Sequence, residues 1–287
     1  MGRYQRGWIG LVLFLSIGSG SPPATNAGTG LRIQVVGSTT VLPVASRAAQ
    51  KFMESSSSRI LVNAGGSGVG IHSVAGGRAD IGMASRAISQ DEKKRFEKSH
   101  LKIYPVGLDA VACVVSSEIY QAGVRQLTPQ QIAGIYLGKI RNWKEVGGPD
   151  RQIVVVDKER HRGTRHVFMQ YIFGNASQRT PGTLLVTGSN NEEQAKIAQS
   201  DAAIGMLSFA WINDDVKAVS LLDQGKEILP TWETVRRGNY PIVRKLNFIT
   251  AGEPKSEIKA FIGFVKGPEG QKIVEESGYI PIGNFQP

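Results

Sequence analysis

The sequence predicts an α/β protein of two lobes joined by a hinge, on three observations. Apolar strand runs alternate with helical patterns along the chain. Two long extended segments, Tyr104 to Ser116 and Tyr240 to Ala251, divide it so that its first and last parts share a lobe. Three strands each run into a Gly/Ser/Thr-rich turn that opens a helix.

The chain opens with Arg3 and Arg6, an apolar run from Trp8 to Ile17, and a small, polar stretch ending Thr25-Asn26-Ala27. That order reads as a secretory signal peptide over residues 1–27. Its apolar part is about ten residues, short of the ~20 that span a bilayer as a helix. No cysteine stands near the cleavage point to carry a lipid anchor, so the expectation is a freely diffusing periplasmic protein. Removing 27 of the 287 residues leaves 260, room for two lobes.

Strand runs follow at 31–36, 59–63, 103–115, 152–157, 203–208 and 243–250, with helical patterns at 41–54, 68–76, 89–98, 128–137, 164–173, 190–199 and 255–275. Such alternation belongs to βαβ units with largely parallel sheets. The expected division is one lobe from 31–112 plus 245–287 and another from 113–244. The lone cysteine, Cys113, sits in the apolar run Val111 to Val115 and reads as core, since no disulfide partner exists.

The formal charge of +10 falls to +8 without Arg3 and Arg6, which favours anionic ligands. Basic residues form no long run, and no stacking-platform motif is present, so nucleic acid is not an expected partner. An enzyme needs a nucleophile with a base, or a metal cluster. Ser67 lies in GGSGVG, without the GxSxG spacing of a nucleophile elbow. His72, His100, His161 and His166 form no HExxH motif, and one cysteine builds no thiolate cage. No cofactor or metal is expected, and a periplasmic hydrolase is the minor alternative.

The three turns carry the chemistry. Gly37-Ser38-Thr39-Thr40, Gly65-Gly66-Ser67-Gly68 and Arg162-Gly163-Thr164-Arg165 each place backbone N–H groups at a helix start. A helix N-terminus has about four unpaired N–H donors and roughly half a positive charge, which suits an oxyanion. Hydroxyls of Ser38, Thr39, Ser67 and Thr164 add donors. The competing reading is that these residues only cap helices and turn the chain. Ser85-Arg86 ends a further strand, where Arg86 either forks onto an anion or is a surface charge. Asp109 enters an apolar strand, and a buried carboxylate needs partners. It accepts the proton of a protonated phosphate, which fully ionised sulfate lacks, or else it forms a structural ion pair or turn cap.

These stretches resemble the phosphate-binding proteins of bacterial phosphate ABC importers, the PstS family. The resemblance runs from about Leu31 to Ile282 on GSTTVLPVA from Gly37, GGSGVGI from Gly65, ADIGMASR from Ala79, LDAVACVV from Leu108, LTPQQIAGIYLGKIRNW from Leu127 and RGTRHVF from Arg162. LGKIRNW is the most distinctive run and reads as scaffold. The resemblance implies a type II periplasmic binding protein fold that grips inorganic phosphate between its lobes and delivers it to an ABC permease in the inner membrane, with a monomer as the default.

Carried across, Ser38 and Thr39 match the first loop, Ser67 the second, and Gly163 with Thr164 the third. Two positions depart: Arg162 stands where the family usually has serine, and Lys158 where it has arginine. Arg162 then supplies a cation from a new place, or shifts preference toward another oxyanion or a phosphorylated ligand. Arginine at 86 resembles the members that carry an aspartate on the following hinge strand, which supports Asp109 as proton acceptor.

Overall fold

A computed structural model describes residues 31–284, so the export segment predicted for 1–27 lies outside the described residues. Among the described residues no helix is long and apolar enough to cross a membrane. The first lobe starts with β1 (Arg32–Gly37), α1 (Leu42–Met53), β2 (Arg59–Ala64), α2 (Ser67–Ala75), β3 (Ile81–Ala84) and α3 (Gln90–Arg95). Strand β1 pairs in parallel with β2 on one side and β3 on the other. Helix α1 presents Val44, Ala45, Ala48 and Ala49 to the core, one face of a 3.6-residue period.

The 16-residue strand β4 (Leu101–Ser116) then crosses to the second lobe. There follow α4 (Ser117–Gln121), β5 (Gln126–Leu127), α5 (Pro129–Tyr136), β6 (Val154–Lys158), α6 (Gly163–Phe173), β7 (Leu185–Thr187), α7 (Asn190–Ala198), β8 (Ala203–Ser208), β9 (Val216–Ala218), β10 (Ser220–Asp223), β11 (Lys226–Ile228) and α8 (Trp232–Arg236). The chain returns along β12 (Val243–Ala251) and ends in α9 (Ser256–Lys266) and α10 (Pro268–Glu276).

The main sheet runs β2-β1-β3-β12-β4-β8-β6-β7, with β9 also on β4. Strand β4 holds it together by changing partners. Leu101 to Ala110 lie against β12, and Val111 to Val115 against β8. A bulge in β4 leaves Val106 unpaired between Gly107, opposite Leu246, and Pro105, opposite Asn247, where proline lacks the N–H that a regular ladder needs. Two large apolar clusters flank this crossing. Ile33, Val35, Ile60, Ile81, Phe248 and Phe261 anchor one, and Val115, Ile135, Tyr136, Trp143, Phe168 and Ile204 the other. Trp143, from the LGKIRNW run, is fully buried and donates through Nε1 to the Ala202 carbonyl at 2.9 Å, which makes that run a packing element.

The mixed α/β class and the strand–turn–helix order agree with the sequence reading. One predicted element is corrected. The helix expected over 255–275 is two helices, because Pro268 cannot donate within a helix and forces Gly267 into extended backbone with ψ of 177°. Proline then serves at the first position of α10, where the missing N–H is an orphan anyway. The short strands β5, β7, β9, β10 and β11 were too brief to show a period of two.

Candidate functional site

All three Gly/Ser/Thr turns open helices as the sequence predicts: β1 into α1, β2 into α2, β6 into α6. Gly37 has φ of 142°, and a Cβ there would run into the Met83 carbonyl and Gly70 Cα, so only glycine lets these backbones meet. The Ser38 N–H donates to the Met83 carbonyl at 2.9 Å, tying the first turn to β3.

Three hydroxyls meet on the first lobe. Ser38 Oγ donates to Ser85 Oγ at 2.9 Å, Ser85 N–H donates to Ser67 Oγ at 3.0 Å, and the Ser67 and Ser85 hydroxyls lie 3.3 Å apart. All three are buried, at 2 %, 1 % and 1 % exposure. Thr39 is half-buried in the same turn.

The second lobe closes directly onto this cluster. A Cβ added to Gly163 would collide with the Ser67 and Ser85 hydroxyls, so the start of α6 sits against them. The Gly68 N–H donates across the cleft to the His161 carbonyl at 3.1 Å. Among the described residues no backbone carbonyl accepts from the N–H groups of Gly163, Thr164 or Arg165, which leaves that end of α6 an array of donors.

The centre of the site is a residue that sequence reasoning did not single out. Arg244 on β12 lies opposite Asp109 on β4, and donates to Asp109 Oδ2 from Nε at 2.9 Å and from Nη2 at 2.7 Å. Its Nη1 donates to Thr164 Oγ1 at 3.0 Å on the second lobe, and Nη2 to Thr40 Oγ1 at 3.2 Å on the first. Ser208, at the end of β8, donates to Asp109 Oδ1 at 3.0 Å. Asn190, opening α7, donates through Nδ2 to Thr40 Oγ1 at 3.0 Å. One guanidinium thus joins both crossing strands and both lobes. Burial pushes the Asp109 carboxyl up from its ordinary value, against the pull of the Arg244 guanidinium, so it holds a proton more readily than an exposed aspartate.

The other cations are matched with carboxylates. Arg86 forks onto Glu92 at 2.7 and 2.8 Å. Burial pushes the Glu92 carboxyl up, but Arg86 and Ser89 outweigh it and bring it down to about 2. Arg162 donates to Glu159 on its own lobe from Nε at 2.7 Å and Nη2 at 2.5 Å. Lys158, fully buried, pairs with Glu193 and donates to the Ser189 carbonyl at 3.1 Å. Arg165 holds Asp157 at 3.0 Å. The structure therefore brings together Ser38, Ser67, Ser85, Gly163, Thr164 and Asp109. It spends the terminal nitrogens of Arg86 on Glu92 and the Ala87 carbonyl.

The missed residues are Thr40, Asn190, Ser208 and Arg244. A usable signal existed for Arg244, one of two adjacent charges, with Lys245, inside the otherwise apolar run Pro241 to Thr250; the alternation of a strand turns only one of the two inward, mirroring Asp109 in its own strand. Two buried charges of opposite sign on adjacent strands belong together.

The chain matches the model of a PBP superfamily domain over residues 19–269. It is 33% identical over 252 residues to the phosphate-binding protein PstS of Bacillus subtilis, covering 87% of this chain and 80% of that one. The PstS of Borreliella burgdorferi is 29% identical over 261 residues, 87% of this chain and 90% of its own. Among solved structures, a phosphate-bound ABC transporter substrate-binding protein from Clostridium perfringens superposes with a TM-score of 0.79 at 32% identity, over 88% of this chain and 99% of that one. An ABC-type phosphate transport receptor from Vibrio cholerae gives 0.70 at 30% identity, over 86% and 99%.

Proposed function

Because the chain belongs to the PstS family of phosphate-binding proteins within the PBP superfamily, we propose that it captures inorganic phosphate between its lobes and delivers it to an ABC permease. The observation that carries this reading is the convergence of buried donors from both lobes on one charge pair. Ser38, Ser67 and Ser85 come from one side, Gly163 and Thr164 from the other, with Arg244 and Asp109 between them.

In this reading phosphate takes hydrogen bonds from those hydroxyls, from Thr39, and from the free N–H groups that open α6. Arg244 offsets its charge from between the two crossing strands. Asp109, buried and paired with Arg244, accepts the hydrogen of a P–OH group, a contact that fully ionised sulfate does not make. Arg86 and Arg162, engaged by Glu92 and Glu159, act on the anion through their field rather than by contact. The lobes are residues 31–112 with 245–287, and 113–244, a division supported by the partner change of β4 between Ala110 and Val111. Open and closed forms exchange about that crossing, and the anion favours the closed form because only there do both lobes donate to it. No covalent step is involved. The protein works in the periplasm as a monomer, and its relatives are binding proteins.

Calorimetric titration of the anion-stripped mature protein with phosphate, sulfate, molybdate and a phosphate monoester tests this. Tight 1:1 binding of phosphate with sulfate ignored is expected. Preference for another of the four would keep the site and overturn the phosphate assignment.

A further inference from the structure

The hydroxyl of Thr40 is held in an orientation that leaves it one task. It is 2 % exposed, and its oxygen accepts from Asn190 Nδ2 at 3.0 Å and from Arg244 Nη2 at 3.2 Å. A hydroxyl has two acceptor lone pairs and one hydrogen. Two donors fill the lone pairs, so Thr40 can only donate, and among the described residues no group accepts its hydrogen. Asn190 is itself 2 % exposed and reaches Thr40 from the opposite lobe, so this arrangement exists only when the lobes are together.

We infer that Thr40 is a donor-only ligand of the bound anion, locked in that polarity by Asn190 and Arg244, and that Asn190 sets specificity without touching the anion. The inference rests on the oxyanion reading of the cleft. A hydroxyl locked as donor must face an unprotonated oxygen, because a P–OH presented to it would set hydrogen against hydrogen. Thr40 therefore favours the phosphate dianion, with one P–OH, over the monoanion, with two. Asp109 takes the single remaining P–OH of the dianion. Asn190 is a positioning residue: without its amide a lone pair on Thr40 opens, and the hydroxyl becomes able to accept from a second P–OH.

The test is calorimetric titration with inorganic phosphate at a series of pH values on either side of its second ionisation, using wild type, T40V, T40S and N190A. Melting curves establish that each variant is folded. T40V, which keeps the shape and loses the hydroxyl, is expected to bind ~10- to 150-fold more weakly, the range of a hydrogen bond to a charged group. T40S is expected to stay near wild type. N190A is expected to lose more affinity above the second ionisation than below it. Wild-type affinity in T40V, equal losses in T40V and T40S, or a pH-independent loss in N190A would each overturn the inference. If the wild-type protein takes sulfate and ignores phosphate, the phosphate reading fails separately. The contrast of T40V with T40S, repeated with sulfate, then still decides whether Thr40 is a ligand.

Discussion

Replacing Asp109 by asparagine removes one charge and leaves the shape of the site nearly intact. In the folded protein its Oδ2 takes two hydrogen bonds from Arg244, at 2.9 and 2.7 Å, and both residues are buried, at 2 % and 4 % exposure. With asparagine present, the Arg244 guanidinium stays buried without its counter-charge. Breaking a buried pair by removing one partner costs about 3–5 kcal/mol. For a protein of this size each kcal/mol lowers the melting temperature by roughly 2–4 °C, so D109N should melt ~6–20 °C below wild type when no anion is present. An anion in the cleft restores the missing negative charge, and sulfate is no longer repelled by the carboxylate. Sulfate should therefore recover a large part of the lost melting temperature in D109N and have little effect on wild type, while selectivity for phosphate over sulfate falls. The assay is thermal unfolding followed by circular dichroism, with and without each anion, alongside calorimetric titration. A D109N protein that melts with wild type and gains nothing from sulfate would refute the reasoning.

Three further outcomes follow from the same geometry. Gly163→Ala places a methyl group against the Ser67 and Ser85 hydroxyls. Overpacking of about 1–3 kcal/mol at a contact made only on closure should weaken phosphate ~5- to 150-fold, read by calorimetry, with the unliganded melting temperature unchanged. Arg162→Ser breaks a pair whose carboxylate partner Glu159 is 41% exposed. Such pairs contribute about 0.2–1 kcal/mol, so phosphate affinity should change less than ~5-fold, and a larger loss would place Arg162 on the anion. In acid, two groups act in sequence. Burial and Arg86 hold the His166 imidazole down to about 4 from 6.5, so the unfolded chain binds its proton first and stability falls as pH drops from 6.5 through 4. Glu92, held down to about 2 from 4.5, contributes stability present above 4.5 that is lost as pH falls through 2. Urea midpoints across this range should fall in two stages, with the upper stage missing in H166N and the lower one missing in E92Q.

The parts of the fold legible in the sequence were those encoded locally. The strand at Arg32, the turn at Gly37 and the helix at Leu42 declare themselves within about twenty residues, as do the other two strand–turn–helix units. Asp109 was legible as a buried carboxylate needing a partner. Its partner was not, since Arg244 lies 135 residues away and reaches it only through the register of two antiparallel strands. Asn190 and Thr40 are harder still, because they sit on opposite lobes and meet through the closure itself. Arg86 and Arg162 are the converse case, with partners close in sequence. Each looked like a spare cation in sequence, whereas Glu92 and Glu159, six and three residues distant, hold them in the fold.

The exchange of partners along β4 also bears on how the polypeptide reaches its native state. Strand β12 fills the gap between β3 and β4, so the sheet of the first lobe stays incomplete until nearly the whole chain has been made. A nascent chain lacking β12, α9 and α10 exposes an unpaired β3 edge and the core surface that Phe248 and Phe261 would cover. Assembly of that lobe is thereby deferred to the last stage of synthesis. A truncation ending ahead of Val243 should yield an aggregating chain rather than a smaller folded protein.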